Sequence, residues 1–343
     1  MKPHNITHFP VFLLWMLWVL IASSCSVQKK AKTTQKAIQF SEPCGTAEII
    51  DTLGLTYPGV LHKNPHYQSL KPYFSENSLH VAHALNLTPS LFEYLMLLKQ
   101  LQSDTSITRE MAIFRLSHNL SWKIQNASLQ VSAITAEIDC EEERAEQIAN
   151  SLQQREDLIN TRLTVAAIIV GAAGAITTGV IMRNEGFNQN TVESLGIGVG
   201  ISEAILGMLI LLNKKKTQFR HPRNFLKEIW DGPQKSTLFP PYIWYYLNTP
   251  LNQTNNPIEG TKDESLRIRL KTGWEALEQL GNKKRKKESF DLVMGEGGKY
   301  TAELLKKRAN MLDQLEAQIG LIKQDLNRLS NEILDLENRI VNP

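Results

Sequence analysis

The sequence predicts a mostly α-helical protein in which long helices and a C-terminal coiled coil flank a helical transmembrane hairpin, with irregular N-terminal and central segments. Three observations lead there. Residues 90–170 contain neither glycine nor proline, an uninterrupted run rich in Leu, Ile, Ala, Gln and Glu. Residues 163–182 carry no charge and residues 195–212 carry one, Glu203. Near the C-terminus, leucine and isoleucine recur at alternating spacings of three and four. The averages hide this segregation, because 42% hydrophobic and 21% charged residues in 343 describe an ordinary globular chain. They exclude wholesale disorder and a disulfide-dense mini-protein. A net charge of +3 is too small to indicate nucleic acid as a partner.

Taken in order, residues 9–22 (FPVFLLWMLWVLIA) follow Lys2 and precede the small residues Ser23 and Ser24. A basic end, a short apolar run and small residues make a secretory signal, assigned to residues 1–24. The run is shorter than the ~18 to 20 residues of a membrane span. Cys25 comes next, and here the sequence resembles bacterial lipoprotein precursors. Ala22-Ser23-Ser24-Cys25 matches the small-residue box of that family, with Ala22 where the family usually carries Leu. The resemblance implies cleavage before Cys25 and acylation of its thiol, palmitate included. In that compartment Cys44 and Cys140 form an even pair and a candidate disulfide, against two free thiols or intermolecular pairing.

Residues 25–78 then read as a lipidated polar tether followed by a proline- and glycine-bearing irregular segment with at most short elements. Residues 79–162 read as long helices, with Thr88 or Ser90 capping the first and Asp104 or Ser106 the second. In the second helix Val131, Ile134, Ile138, Ala145, Ile148, Leu152 and Ile159 form an apolar stripe. Glu141 and Arg155 interrupt it. The stripe is therefore expected to pack under another helix of the same chain, with the two charges facing a partner or the bundle edge.

Residues 163–212 form the expected membrane hairpin, two apolar arms joined by the polar RNEGFNQNTVES. Ala167, Gly171, Ala175 and Gly179 recur every fourth residue in the first arm, and Gly196, Gly200 and Ala204 in the second. Small residues at such spacing let helix backbones approach closely in lipid. Here the chain loosely resembles glycine-zipper two-transmembrane lipoproteins. Glu203, an ionisable group in mid-span, is expected to hydrogen-bond within protein rather than face lipid. Basic residues outside the arms (Arg162, Lys214, Lys215, Lys216, Arg220, Arg223) favour cytoplasmic ends, whereas the export signal places residues 26–162 outside the cytoplasm. The leading segment commits the chain, so export is the expectation.

Residues 213–298 read as a proline-rich and amphipathic module. The Tyr242-Ile243-Trp244-Tyr245-Tyr246 run suits either a membrane interface or a small core. Residues 264–280 predict an amphipathic helix, and the basic run at 283–287 a solvated loop. Gly295-Glu296-Gly297-Gly298 reads as a turn before the coiled coil at 299–343. Its core positions are Leu312, Leu315, Ile319, Ile322, Leu326, Leu329, Ile333, Leu336 and Ile340. They fit either an antiparallel pair within the chain or a dimer with a second copy.

Chemistry finds no motif. The Gly174–Gly179 spacing mimics a P-loop but lacks its Lys-Ser/Thr, and the spacings of His62 with His66 and His80 with His83 lack further metal ligands. The expected function is a membrane-anchored structural or assembly lipoprotein of the bacterial envelope, not an enzyme, with no cofactor and no metal. Its expected partners are the lipid bilayer and either a second copy or another helical envelope protein, with the bulk of the chain periplasmic. The alternative is a pore-forming or translocation component built on the 163–212 hairpin.

Overall fold

The computed structural model describes residues 44–45, 58–101, 106–183, 189–250, 264–276 and 283–341. The signal segment and Cys25 lie outside the described residues. A short 3-10 turn at Leu61–Lys63 leads into α1 (Tyr67–Leu70), α2 (Glu76–Ala84) and α3 (Thr88–Leu101). Then come α4 (Ile107–Arg183), α5 (Gln189–Leu212) and β1 (Lys216–Arg220). The module beyond holds α6 (Phe225–Asp231), α7 (Pro241–Asn248), α8 (Leu266–Ala276), α9 (Lys283–Met294) and β2 (Gly297–Thr301). The last element is α10 (Ala302–Val341). The protein is mostly helical.

Local chemistry accounts for the boundaries. Ser75 caps α2, its hydroxyl accepting the Ser78 N–H. The glycine- and proline-free run holds two helices, as its capping residues predict, and α4 starts after Ser106, whose carbonyl accepts the N–H groups of Arg109 and Glu110. From there α4 continues for 77 residues, about 115 Å.

The first half of α4 packs antiparallel against α10. Gln153 on α4 meets Lys306 near the start of α10 at 2.5 Å. Asp139 and Glu142, earlier on α4, face Glu316, later on α10. The α4 stripe turns inward here, with Val131, Ile138 and Ala145 fully buried. All nine leucine and isoleucine positions predicted on α10 are buried too. The distal half of α10 is clasped by the N-terminal helices and α7. Asp325 accepts from Asn77 and Tyr246, Glu332 from the Ser75 N–H, and Glu337 from Tyr94. The periodicity left two arrangements open, and the chain covers the stripe itself.

The aromatic run forms α7, and Tyr242 through Leu247 are all buried. It belongs to the protein core. Tyr242 donates to the Ala127 carbonyl of α4 at 2.8 Å, and Trp244 to the Pro233 carbonyl at 3.0 Å. α8 buries Leu270 and Trp274, as its amphipathic pattern requires. Two segments differ from expectation. The basic run is the first turn of α9, not a loop. Gly297 and Gly298 begin a strand, pairing antiparallel with β1 in the register Phe219 to Gly298 and Arg220 to Gly297. Gly297 has φ +106°, and a Cβ there would lie 2.2 Å from the Phe219 carbonyl oxygen, so the position demands glycine.

Candidate functional site

The most unusual surface is the far end of α4 together with α5. α4 is long and apolar enough to cross a membrane, and none of its apolar window is buried in the protein. α5 contributes a shorter apolar stretch, Gly196–Leu212. The two run antiparallel, since Gly171 faces Glu203, Gly174 faces Val199 and Asn160 meets Asn213. Around them Ile168, Ile176, Val180, Ile197, Ile201, Met208 and Leu212 all point outward and are more than half exposed. That is a contiguous apolar surface, which a water-soluble chain rarely presents.

Between the arms, a Cβ on Gly174 would lie 2.6 Å from Val199 Cγ2, and one on Gly171 would lie 2.2 Å from Glu203 Oε1. Close approach therefore occurs at Gly171 and Gly174. Ala167 is half-buried on the same side. Ala175 and Ala204 are exposed, and a Cβ on Gly179, Gly196 or Gly200 would touch nothing within 4 Å. The reason is geometric. Steps of four advance about 40° beyond a full turn each time, so a strict every-fourth row leaves the contact face. The observed face alternates threes and fours, which brings in Gly174. Glu203 is exposed on α5, with its carboxylate against the Gly171 backbone.

A polar knot fixes the base of this hairpin to the body. Asn213 donates to Asn160 Oδ1 at 3.0 Å, and the Lys215 N–H donates to Glu156 at 2.6 Å. Deeper in, Arg144 pairs with Glu141 at 3.3 Å and also donates to the Arg220 carbonyl of β1. Glu141, the charge that broke the stripe, thus serves an internal pair. Arg223 grips Glu137 with two hydrogen bonds, 2.6 and 3.3 Å. Arg308 of α10 is fully buried and donates to Asn224 Oδ1 and the Val293 carbonyl. Burial, ahead of any neighbour, lowers its pKa to about 10. The Tyr300 hydroxyl donates to the Leu292 carbonyl, so His221 Nε2–H must donate to the Tyr300 oxygen at 2.7 Å. Burial first, then Arg308, holds His221 neutral with its pKa lowered to about 3.

Cys44 and Cys140 are joined by a disulfide with Cα atoms 5.7 Å apart. It ties the chain before α1 to the middle of α4. The Cys44 N–H adds a 3.4 Å hydrogen bond to Glu141. Near it Asp139, Glu142 and Glu316 bring ligand-capable oxygens within 4.8 Å of one another. Desolvation, with the neighbouring Asp313 and Glu316, raises the Glu142 pKa to about 7. These are crowded acids on a helix pair. His80 and His83 do not converge on further ligands. His80 is buried against Tyr245 and Tyr246, and His83 donates from Nε2 to the Gly59 carbonyl while its Nδ1 accepts from the Asn64 amide.

The far end of α4 together with α5 presents apolar side chains exposed in the protein, and α4 is compatible with a membrane-spanning segment. No protein-family model, curated protein or solved structure matches the chain. Sequence reasoning missed Arg308, Gly174 and the β1–β2 pair. Gly174 was visible only as part of a false phosphate-loop spacing.

Proposed function

We propose that this chain is a membrane-anchored structural or assembly lipoprotein of the bacterial envelope, seated in the bilayer by the hairpin of α4 and α5. The observation that carries the reading is the outward apolar surface of residues 163–180 with α5 folded back along it. In water that surface is unfavourable at roughly 25 cal/mol per Å². In lipid it is solvated. The Cys44–Cys140 disulfide supports an oxidising compartment for the stalk, in keeping with the signal and Cys25 at the N-terminus.

Assembly in this reading does not use a dimer through α10, because that stripe is covered. The α4–α10 pair acts as an internal antiparallel coiled coil that stiffens the stalk. The outer face of α4 remains, with Ile107, Met111, Phe114, Trp122 and Leu129 exposed. Ile107 and Leu129 are equidistant from His118 in sequence, and so are Phe114 and Trp122. Two copies crossing antiparallel at His118 therefore set Ile107 against Leu129 and Phe114 against Trp122, as a two-fold interface requires. The full-length protein is expected to resist carbonate extraction from phosphatidylcholine vesicles while trapped dye stays inside. Dye release would instead support the pore-forming alternative, and extraction by carbonate would remove the membrane reading. Phe114→Ser with Trp122→Ser is expected to convert a dimer to a monomer in detergent, read as mass.

A further inference from the structure

At the foot of the hairpin, where the arms meet the body, lies a cavity of about 400 Å³. Four cationic side chains line it, Arg155 and Arg162 from α4 and Lys215 and Lys216 from the segment after α5, with Leu158 and Ile159 as an apolar wall. We propose that this cavity is a binding site for the phosphodiester headgroup of an anionic phospholipid. The inference rests on the membrane reading above.

The cations are held opposite one another by the bonds at the base of the arms. Asn213 is tied to Asn160 and to the Glu156 carbonyl, and Lys215 to the Glu156 carboxylate through its own N–H. The end of α5 is thus pinned to α4, which sets Lys215 and Lys216 across the cavity from Arg155 and Arg162. Glu156 accepts the Lys215 N–H and keeps its negative charge beside the site, while the residues that line the cavity include four cations and no acid.

The height also fits. Arg162 adjoins the first residue of the uncharged run, and Arg155 lies two helical turns earlier, about 10 Å along the axis. Beyond the ~30 Å hydrocarbon core the polar layer is roughly 5 to 8 Å deep on each side. The membrane end of the cavity, at Arg162, therefore lies at headgroup level, and Arg155 marks its aqueous end. Basic pockets between membrane helices take anionic headgroups by this combination of charge and depth. A bare phosphate would use the cations alone. Leu158, 61% exposed, and Ile159 add a wall suited to the glycerol and first acyl carbons. Arg155 also explains a defect in the α4 stripe, since the charge faces this cavity and not a helix.

The test uses the full chain reconstituted in phosphatidylcholine vesicles with about 10 mol% phosphatidylglycerol, then released in mild detergent, with bound lipid quantified by mass spectrometry. Wild-type protein is expected to retain phosphatidylglycerol enriched about fivefold over its bulk share, the factor that a single basic group near the surface contributes. The variant Arg155→Gln/Lys215→Gln/Lys216→Gln should fall to the bulk ratio with its melting temperature unchanged. Neutralising the distant run at Lys283, Lys284 and Lys286 should leave the enrichment intact. Inorganic phosphate added during release should not displace the lipid. Enrichment that survives in the triple variant, vanishes in the distant variant, or yields to inorganic phosphate overturns the proposal. Protein that fails to stay with pure phosphatidylcholine vesicles overturns the membrane reading itself, a distinguishable result.

Discussion

Replacing Arg308 with methionine tests whether the buried knot stabilises the body through charge or through shape. The guanidinium is fully buried, and its nearest acid, Glu141, is engaged by Arg144. Lowering its pKa from 12.5 to about 10 means that retaining the proton costs about 3 kcal/mol relative to the unfolded chain. Against this stand two hydrogen bonds, to Asn224 and the Val293 carbonyl, each contributing about 1 kcal/mol. Both acceptors keep a second donor, because Val293 O also receives Asn224 Nδ2 at 2.8 Å and Asn224 Oδ1 receives the Lys227 N–H. Arg308→Met thus removes a desolvated charge without stranding a partner, and methionine fills most of the volume. The expected outcome is a stability unchanged or raised by about 1 kcal/mol, read as the urea midpoint of detergent-solubilised protein. Removing a buried charge that is essential to a pair usually costs ~3 to 5 kcal/mol. A loss of that size in Arg308→Met would refute the reasoning and make the charge itself structural.

Three further outcomes follow from the same geometry. Burial holds His80 neutral down to about pH 4, His83 below its ordinary range and His221 down to about 3, so the unfolded chain takes up protons below pH 6.5 that the fold refuses. Stability from these groups is complete above pH 6.5 and lost toward pH 4, with His80 accounting for about 3 kcal/mol. Glu142 and Glu316 act in the opposite sense, so the comparison is between slopes: His80→Phe should flatten the acid limb of midpoint against pH, and an unchanged slope counts against the assignment. Reducing the Cys44–Cys140 bridge, which closes a separation of 96 residues, should lower stability by about 4 to 5 kcal/mol, and an unmoved urea midpoint under reductant would contradict it. Gly174→Leu should destabilise the arms by roughly 1 to 3 kcal/mol through the clash with Val199, while Gly179→Leu changes little; equal effects on thermal unfolding would refute the observed contact face.

The features legible in the sequence were those written as period or composition. The α10 stripe and the α4 stripe could be read residue by residue, and so could the two apolar arms. What could not be read is which stripe faces which. Leu312 through Ile340 suit a second copy as well as α4, and only the clasp of Asn77, Ser75, Tyr94 and Tyr246 on α10 decides for the chain itself. The strand pair was hidden because β1 (KTQFR) is polar and β2 opens with two glycines, which read as a turn. The base of the hairpin was hidden for a different reason. Arg155 and Lys216 are far apart in sequence, and each alone looks like a solvated charge.

The most direct measurement compares two single cysteines introduced into the full chain in native membranes, at Ile176 and at Asn150, using a membrane-impermeant maleimide on opened cells. Both side chains are exposed in the protein, Ile176 at 66%. Cys44 and Cys140 are already bridged and do not react, and the unsubstituted chain, with Cys25 acylated in this reading, serves as the blank. If the hairpin lies in a bilayer, Asn150→Cys labels and Ile176→Cys labels only after detergent is added. Equal labelling of both before detergent would contradict the account at its centre.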